Sequence, residues 1–347
     1  MTDEALVLGL DVGGTSTRVL AVTPRGVRRG AGRASGGNPT GLGPERAAAA
    51  LAEAVEQALT GLDPAAVRHV VLGLAGGGAL PSGEDLPGGQ AFTQVWARVG
   101  IRCPVEYEPD ALIAFAAGTA AAEGSLLLSG TGAVAIAVKD RAMAARSDGH
   151  GWLLGDRGSG FWLGRQAVLA AMAALDGEGP ATALTGLVIE SLRLRPAGPG
   201  TASASDSASS PGTDEPPLTA RELVAAVMAE PPTALARLAP LLTTACAAHD
   251  PVAEAIADRA VEHLAQTLTT VRTSDAASPI VLAGSILTNP TPVAERVRRM
   301  LRERWPDAPV SEALDGAAAA AWLALARVGP VPPSEVRERL FSIPTAS

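Results

Sequence analysis

The stretch Asp11-Val12-Gly13-Gly14-Thr15-Ser16-Thr17 follows an apolar run at residues 6–10 and leads directly into a second apolar run at residues 17–22. Two apolar segments joined by a glycine turn predict a β-hairpin. Glycines also let a backbone approach phosphate oxygens and adopt the positive φ angles that make N–H groups converge. The stretch is not a Walker A loop, because no Gly-Lys-Ser/Thr follows, and it does not open a helix as a dinucleotide fingerprint does. Taken alone, the motif could also be an ordinary hairpin turn.

A second glycine turn, Ser129-Gly130-Thr131-Gly132, also lies between two apolar runs, at residues 125–128 and 133–138. The repeated strand–turn–strand pattern predicts two lobes of related topology, whose hairpins face each other across the phosphates of a nucleotide. A third turn, Gly284-Ser285, follows the apolar residues 280–283. We expect it either to pack under a purine or ribose or to be a plain strand-to-helix loop.

The first turn also carries oxygen ligands. Asp11 ends a predicted buried strand and is placed to hold the waters of a Mg²⁺ ion, because this cation prefers oxygen ligands. Hydroxyl donors follow at Thr15 and Thr17. The predicted ligands of ATP and Mg²⁺ are Asp11, Gly13, Gly14, Thr15, Thr17, Gly130, Thr131, Gly132, Gly284 and Ser285, with the metal held by Asp11 through water.

The bulk composition favours a cytoplasmic enzyme of two domains. The chain has 347 residues, of which 47% are hydrophobic, and a formal net charge of −8. An acidic chain is a poor partner for nucleic acid, whose binding depends on neutralising phosphates. We find no apolar run long enough to span a bilayer, and acidic residues stand where a signal peptide needs basic ones. Cys103 and Cys246 make no CxxC pattern and predict no zinc or iron–sulfur site within one chain.

Residues 196–217 read PAGPGTASASDSASSPGTDEPP and contain almost nothing apolar to bury. Such a segment cannot offset the entropy of ordering, so we expect a disordered surface insertion. Helical patterns continue on both sides of it, which places the insertion inside the second lobe. The predicted lobes are residues 1–115, joined by a C-terminal helix at about 316–347, and residues 116–315.

Four motifs occur together in a characteristic order: DVGGTST at 11–17, SGTG at 129–132, GDRGSGFWLG at 155–164 and LAGSIL at 282–287. This set resembles the N-acetylglucosamine kinase and benzoyl-CoA-reductase-activator-type ATPase family, within the superfamily of sugar kinases, heat-shock ATPases and actin. The resemblance covers nearly the whole chain outside the insertion. It implies an α/β fold of two ribonuclease-H-like, actin-type lobes with nucleotide and sugar in the cleft between them.

Asp110 is the candidate for the group that accepts the hydroxyl proton in a phosphoryl transfer. It follows a predicted strand at 105–108 and opens a predicted helix at 111–122. By resemblance to the kinases of the family, this position is the catalytic base. A simple helix N-cap is the alternative, and the two roles are compatible. Similar kinases often carry Asn before this Asp, whereas this chain has Pro109.

The segment 148–160 is loop-like, and the resemblance implies that it forms a wall of the sugar site, with Asp156 receiving sugar hydroxyls. Trp152 is either an apolar face for the pyranose ring or a core residue. Asn38 is either a contact of the sugar's 2-substituent or the start of an ordinary Asn-Pro turn. The predicted sugar ligands are Asn38, Gly76, Asp110, Ser129, Gly130, Thr131, Trp152 and Asp156.

Four acids, Glu108, Asp110, Asp148 and Asp156, crowd the predicted sugar side. A carboxylate can pair with the ammonium group of glucosamine, which favours this sugar over N-acetylglucosamine, with glucose third. The resemblance implies the 6-hydroxyl as the acceptor. The expected partner is a small sugar alone, and a homodimer is left open.

Two rival functions belong to other classes. An ATPase that activates a reductase through an iron–sulfur cluster shared by two subunits needs a cysteine near a glycine motif, and neither Cys103 nor Cys246 follows one. A non-catalytic sugar sensor usually carries an added DNA-binding helix-turn-helix, and Asp11 comes too early in the chain to leave room for one.

Overall fold

The computed structural model describes residues 5–75, 89–193, 220–273 and 277–342, and these form two lobes built on five-stranded sheets. The strand order of the first sheet is β3-β2-β1-β4-β5, with β1 to β3 antiparallel and β1, β4 and β5 parallel. Its strands are β1 (Leu6–Val12), β2 (Ser16–Val22), β3 (Arg28–Ser35), β4 (Val67–Leu74) and β5 (Val105–Pro109).

The second sheet repeats this arrangement. Its order is β10-β9-β6-β7-β8, so β6 stands where β1 stands in the first sheet and β9 where β4 stands. Strands β6 to β8 are antiparallel, whereas β6, β9 and β10 are parallel. The strands are β6 (Gly124–Ser129), β7 (Ala133–Lys139), β8 (Ala142–Asp148), β9 (Ile280–Ala283) and β10 (Val310–Glu312). The predicted fold of two related actin-type lobes is therefore confirmed.

Helices cover the sheets, and several start at the signals that the sequence provides. Asp250 caps the longest one by accepting the N–H of Ala253, and Pro251 occupies its first turn. The helices are α1 (Pro39–Leu42), α2 (Pro44–Ala58), α3 (Gly89–Arg98), α4 (Asp110–Gly118), α5 (Gly160–Leu175), α6 (Ala183–Arg193), α7 (Ala220–Met228), α8 (Ala239–Ala247), α9 (Pro251–Val271), α10 (Ser285–Thr288), α11 (Pro292–Arg304), α12 (Gly316–Val328) and α13 (Ser334–Phe341), with 3₁₀ helices at Pro64–Ala66 and Pro232–Leu238.

Two features of the sequence prediction need correction, and a third is not tested by the structure. The third strand of each hairpin unit, β3 or β8, was not predicted. Both are edge strands: β3 alternates between exposed and partly buried residues, and most of β8 is exposed. The helix expected at 111–122 ends at Gly118. Gly76 and the insertion at 196–217 lie outside the described residues, so their predicted roles stay predictions.

Helix α12 packs unusually close to strand β1. Its first turns are glycine and alanine, and the residues from Ala317 to Ala321 are at most 1% exposed. A Cβ on Gly9 of β1 would overlap the backbone of Ala317 and Ala321. The missing side chain of Gly9 and the small alanine side chains of α12 therefore set the distance between this helix and the sheet.

We expect Gly9→Ala to lower the free energy of unfolding by at least about 2 kcal/mol, because the added methyl group meets backbone that cannot move aside. Urea denaturation followed by circular dichroism measures the change. Gly186→Ala is the matched control: Gly186 lies in α6 with open space around it, and alanine is there expected to be neutral or stabilising. Equal stability of Gly9→Ala and the unchanged protein would contradict the close packing.

Candidate active site

A cleft of about 1080 Å³ lies between the lobes and is lined by both glycine turns. The first lobe contributes the turn between β1 and β2, and the second contributes the turn between β6 and β7. The predicted site residues that line it are Gly14, Thr15, Asn38, Asp110, Thr131, Gly132 and Asp156. Residues more than 100 positions apart in sequence are thus brought to one cavity.

The first glycine turn is held by the loop that follows β3. The N–H of Gly37 donates to the carbonyl oxygen of Gly13 at 3.0 Å. A Cβ on Gly36 would overlap the carbonyl group of Gly14, so the two loops touch through backbone alone. This contact places Asn38 beside the first glycine turn, at the edge of the cleft.

The second glycine turn holds Asp156. Its Oδ1 accepts the N–H of Ala133 at 3.2 Å, and a Cβ on Gly132 would lie 2.9 Å from Oδ2. Asp148 fixes the loop from the other side, accepting the N–H groups of Asp156 at 2.7 Å and Arg157 at 3.1 Å. Burial raises the pKa of the Asp156 carboxyl, and the negative charge of Asp148 raises it further.

Asp110 is half-buried at the start of α4, with Pro109 in the N-cap position. Asp110 is therefore the first residue of the helix and not its N-cap, so the N-cap alternative is wrong. Its Oδ1 does accept the N–H of Ala111 at 2.8 Å. Burial raises the pKa of Asp110 to about 6, against the opposing effects of that N–H and of the positive charge of Arg146. A carboxylate with this pKa is suited to accept a proton near neutral pH.

Asp11 forms an ion pair with Arg18, whose Nη2 lies 2.6 Å from Oδ2. Arg18 was not among the predicted site residues, and it directly follows the quoted glycine stretch. The carboxylate of Asp11 is 25% exposed at the end of β1. One carboxylate suits a Mg²⁺ ion that keeps its waters and is bound mainly through substrate phosphates. No cluster of three or more potential metal ligands occurs in the described residues.

Two predicted hydroxyl ligands, Thr17 and Ser129, are buried and do not line the cleft. Thr17 is fully buried, and its hydroxyl is close to Val12 and Gly37. Ser129 is also fully buried, and its hydroxyl donates to the carbonyl oxygen of Gly158 at 2.9 Å. Both residues lie at strand ends, where the alternation of side chains decides the face, and we remove them from the proposed ligands.

Trp152 lies outside the lining of the cleft and is not a core residue. Its ring is 41% exposed and packs on Phe161, with ring centroids 5.7 Å apart. The next two residues, Leu153 and Leu154, are 72% and 82% exposed. These three residues form an apolar loop tip rather than the predicted sugar platform.

Two of the four acids that favoured a cationic sugar are engaged elsewhere. Glu108 pairs with Arg327 at 3.1 Å, beside Glu106 on the same face of β5. Asp148 is buried and holds the loop described above. Asp110 and Asp156 are the predicted acids that line the cleft.

A second pocket of about 470 Å³ continues from the cleft, because Thr131 and Ala236 line both. The third glycine turn forms part of its wall. Gly284 has a φ of 83°, and a Cβ there would overlap the backbone of Ser129. The pocket also includes Thr243 and Asn289, which the sequence analysis did not find because no motif surrounds them.

The loop fixed by Asp148 provides a test of this geometry. We expect Asp148→Asn to lower the free energy of unfolding by about 1–3 kcal/mol, because the amide oxygen can accept only one of the two N–H groups and the amide NH2 would face the other. Urea denaturation measures the loss. Asp307→Asn, which changes an exposed carboxylate, is the control and is expected to have no effect beyond about 0.5 kcal/mol. An equally small effect at Asp148 would mean that it does not hold the loop.

Comparison with known proteins assigns a family over most of the chain. The BadF/BadG/BcrA/BcrD ATPase family matches residues 8–324. The N-acetyl-D-glucosamine kinase of Dictyostelium discoideum is 28% identical over 203 residues, which are 55% of this chain and 61% of that protein. The N-acetylmuramic acid/N-acetylglucosamine kinase of Clostridium acetobutylicum is 38% identical over 86 residues, which are 25% of this chain and 28% of that protein. The matches thus span less than two thirds of these relatives.

A solved structure has a similar fold over almost the whole chain. It is a proposed N-acetylglucosamine kinase from Chromobacterium violaceum, with a TM-score of 0.67 and 22% identity. The similarity covers 92% of this chain and 99% of that one. None of the described helices combines the length and apolar character that crossing a membrane requires.

Proposed function

This chain belongs to the BadF/BadG/BcrA/BcrD ATPase family, and we propose that it is a kinase that transfers the γ-phosphoryl group of ATP to a hydroxyl of a small amino sugar. One observation carries the proposal: Asp110, whose pKa is raised to about 6, lines the same cleft as two glycine turns from opposite lobes. A base and two phosphate-type turns in one cavity are what a phosphoryl transfer to an alcohol requires.

The nucleotide is proposed to lie across the two turns. Backbone N–H groups of Gly14 and Gly132, with the hydroxyls of Thr15 and Thr131, would donate to its phosphates. The second pocket, beside Ser285, would take the base and ribose. Asp11 would hold the hydrated Mg²⁺ ion, which when bound neutralises charge on the β- and γ-phosphates.

The sugar is proposed to bind between Asn38 and Asp156, with the acceptor hydroxyl directed at Asp110. The hydroxyl oxygen forms a bond to the γ-phosphorus while the bond from that phosphorus to the β–γ bridging oxygen breaks. Asp110 takes the proton that the hydroxyl loses. The Asp156 carboxylate accepts hydrogen bonds from other sugar hydroxyls and so orients the ring.

Among the sugars, we place N-acetylglucosamine first, glucosamine second and glucose third. The order of the first two is reversed from the sequence-based expectation, because Glu108 and Asp148 are engaged in other contacts and leave fewer carboxylates for an ammonium group. The names of the two kinase relatives support an N-acetylated substrate. The 6-hydroxyl remains the proposed acceptor.

The cysteines do not favour the reductase-activator alternative. Burial raises the pKa of the Cys103 thiol and of the Cys246 thiol, which disfavours the thiolate form that binds an iron–sulfur cluster. Neither residue belongs to the lining of the cleft.

A substrate panel tests the proposed function. Purified protein is incubated with ATP, Mg²⁺ and each of N-acetylglucosamine, glucosamine, glucose and N-acetylmuramic acid, and ADP release is followed in a coupled assay. We expect turnover with an amino sugar, fastest with N-acetylglucosamine. Release of ADP at the same rate with and without every sugar would reject the kinase assignment and support an ATPase of another kind.

Asp110→Asn tests the base. We expect kcat to fall by about 10²- to 10⁴-fold, because the amide cannot accept a proton, while sugar affinity measured by calorimetry is retained. In the unchanged enzyme, we expect kcat/KM to decrease at pH values below about 6, because the Asp110 carboxylate becomes protonated. This decrease at low pH, the acid limb of the pH profile, should be absent in the variant. Asp307→Asn is the control for loss of a carboxylate. An Asp110→Asn enzyme with normal turnover would require another base.

A further inference from the structure

We propose that Arg146 is a positioning residue of this site: its guanidinium fixes the start of the loop that carries Asp156 and holds a positive charge in the cleft that Asp110 and Asp156 also line. The inference rests on the proposed function, and it assigns a role to a residue that no motif of the sequence contains.

The guanidinium is held by backbone rather than by an acid. Arg146 is an exposed residue of β8, two positions before the end of the strand, and it lines the cleft. Its Nε donates to the carbonyl oxygen of Asp148 at 3.1 Å, and its Nη2 donates to the carbonyl oxygen of Gly149. Because both acceptors are uncharged carbonyl groups, these contacts orient the side chain without neutralising its charge.

Gly149 makes this approach possible. Its φ of 69° lies in the region that favours glycine, and a Cβ there would be 2.7 Å from Nη2 of Arg146. The loop therefore turns at the residue that the guanidinium contacts. Since Asp148 closes the same loop through the N–H groups of Asp156 and Arg157, the loop is fixed at both ends.

The charge of Arg146 acts on both carboxylates of the cleft. Around Asp110, burial and the negative charge of Asp11 raise the pKa, and Arg146 opposes them. Around Asp156, burial and Asp148 raise the pKa, and Arg146 and His150 oppose them.

Arg237, on the 3₁₀ helix Pro232–Leu238, is the other arginine that lines the cleft in the described part of the chain. Arg327 pairs with Glu106 and Glu108 on β5 and does not line the cleft. Arg146 is therefore the cation whose charge reaches Asp110 and Asp156 together. A fixed cation favours the ionised form of each carboxylate and so limits the rise in pKa that burial causes at Asp110 and Asp156.

Substitution of Arg146 by lysine and by glutamine tests the contact with the loop and the positive charge separately. Arg146→Lys keeps the charge but loses the planar pair of donors that holds the loop. Arg146→Gln loses the charge. Lys139→Gln removes a positive charge from an exposed position on the same β7–β8 hairpin, outside the cleft, and is the control.

The test compares kcat and KM for the amino sugar between pH 5 and pH 8. For Arg146→Gln we expect the midpoint of the acid limb of kcat/KM to rise by about one pH unit, which is about a threefold loss at pH 6.5. For Arg146→Lys we expect an unchanged midpoint and a several-fold higher sugar KM. Lys139→Gln is expected to match the unchanged enzyme in both quantities.

Two results would overturn the role of Arg146: an acid limb in Arg146→Gln that coincides with that of the unchanged enzyme, or an equal shift in Arg146→Lys. Carbon-13 NMR titration of the Asp110 carboxyl, identified by its loss in Asp110→Asn, makes the same comparison without turnover. A shifted titration in a protein that phosphorylates no sugar would support the role of Arg146 and reject the kinase assignment, so the two failures are distinguishable.

Discussion

Contact between backbones at positions without a Cβ is the constraint on which the cleft depends. Gly36 touches the carbonyl group of Gly14 in the first lobe, and Gly284 touches the backbone of Ser129 in the second. Any larger residue would separate the loops that these contacts join. The two glycine turns are therefore positioned by their supporting loops and not only by their own hairpins. The same principle sets the distance between α12 and β1 at Gly9.

On this scaffold the charges of the cleft are balanced in pairs. Asp11 lies against Arg18, whose other contact is with Asp315 at the start of α12. Asp110 and Asp156 share the influence of Arg146. Each acid thus has an arginine charge nearby before a ligand binds, and fixed charges of this kind are the preorganisation that electrostatic catalysis needs. A triphosphate would then meet fixed dipoles and charges rather than mobile ones.

The parts of the fold that could be predicted are those with a local signal. The apolar strands β1, β2, β6 and β7, with their glycine turns, were found because burial on both faces leaves a continuous hydrophobic run. The edge strands β3 and β8 were missed because one side of each is exposed to solvent.

Site residues divide in the same way. Asp110, Asp156 and Asn38 were found through their motifs and do line one cleft. The sequence does not show which face of the sheet the side chains of Thr17 and Ser129 take, because a shift of one residue in the strand register moves a side chain to the other face. Arg146 was missed because its partners are backbone carbonyls, which leave no trace in the sequence.

The alanine-rich start of α12 also determines how freely this chain can vary under selection. Residues 317–321 are at most 1% exposed, and the backbone of Ala317 and Ala321 lies directly against Gly9 of the sheet, so we expect little spare volume there. Evolutionary drift there is confined to residues no larger than alanine, whereas the outward positions of β3 can change size and charge with little penalty. Two segments of one lobe should therefore diverge at very different rates, although neither contributes a side chain to the chemistry.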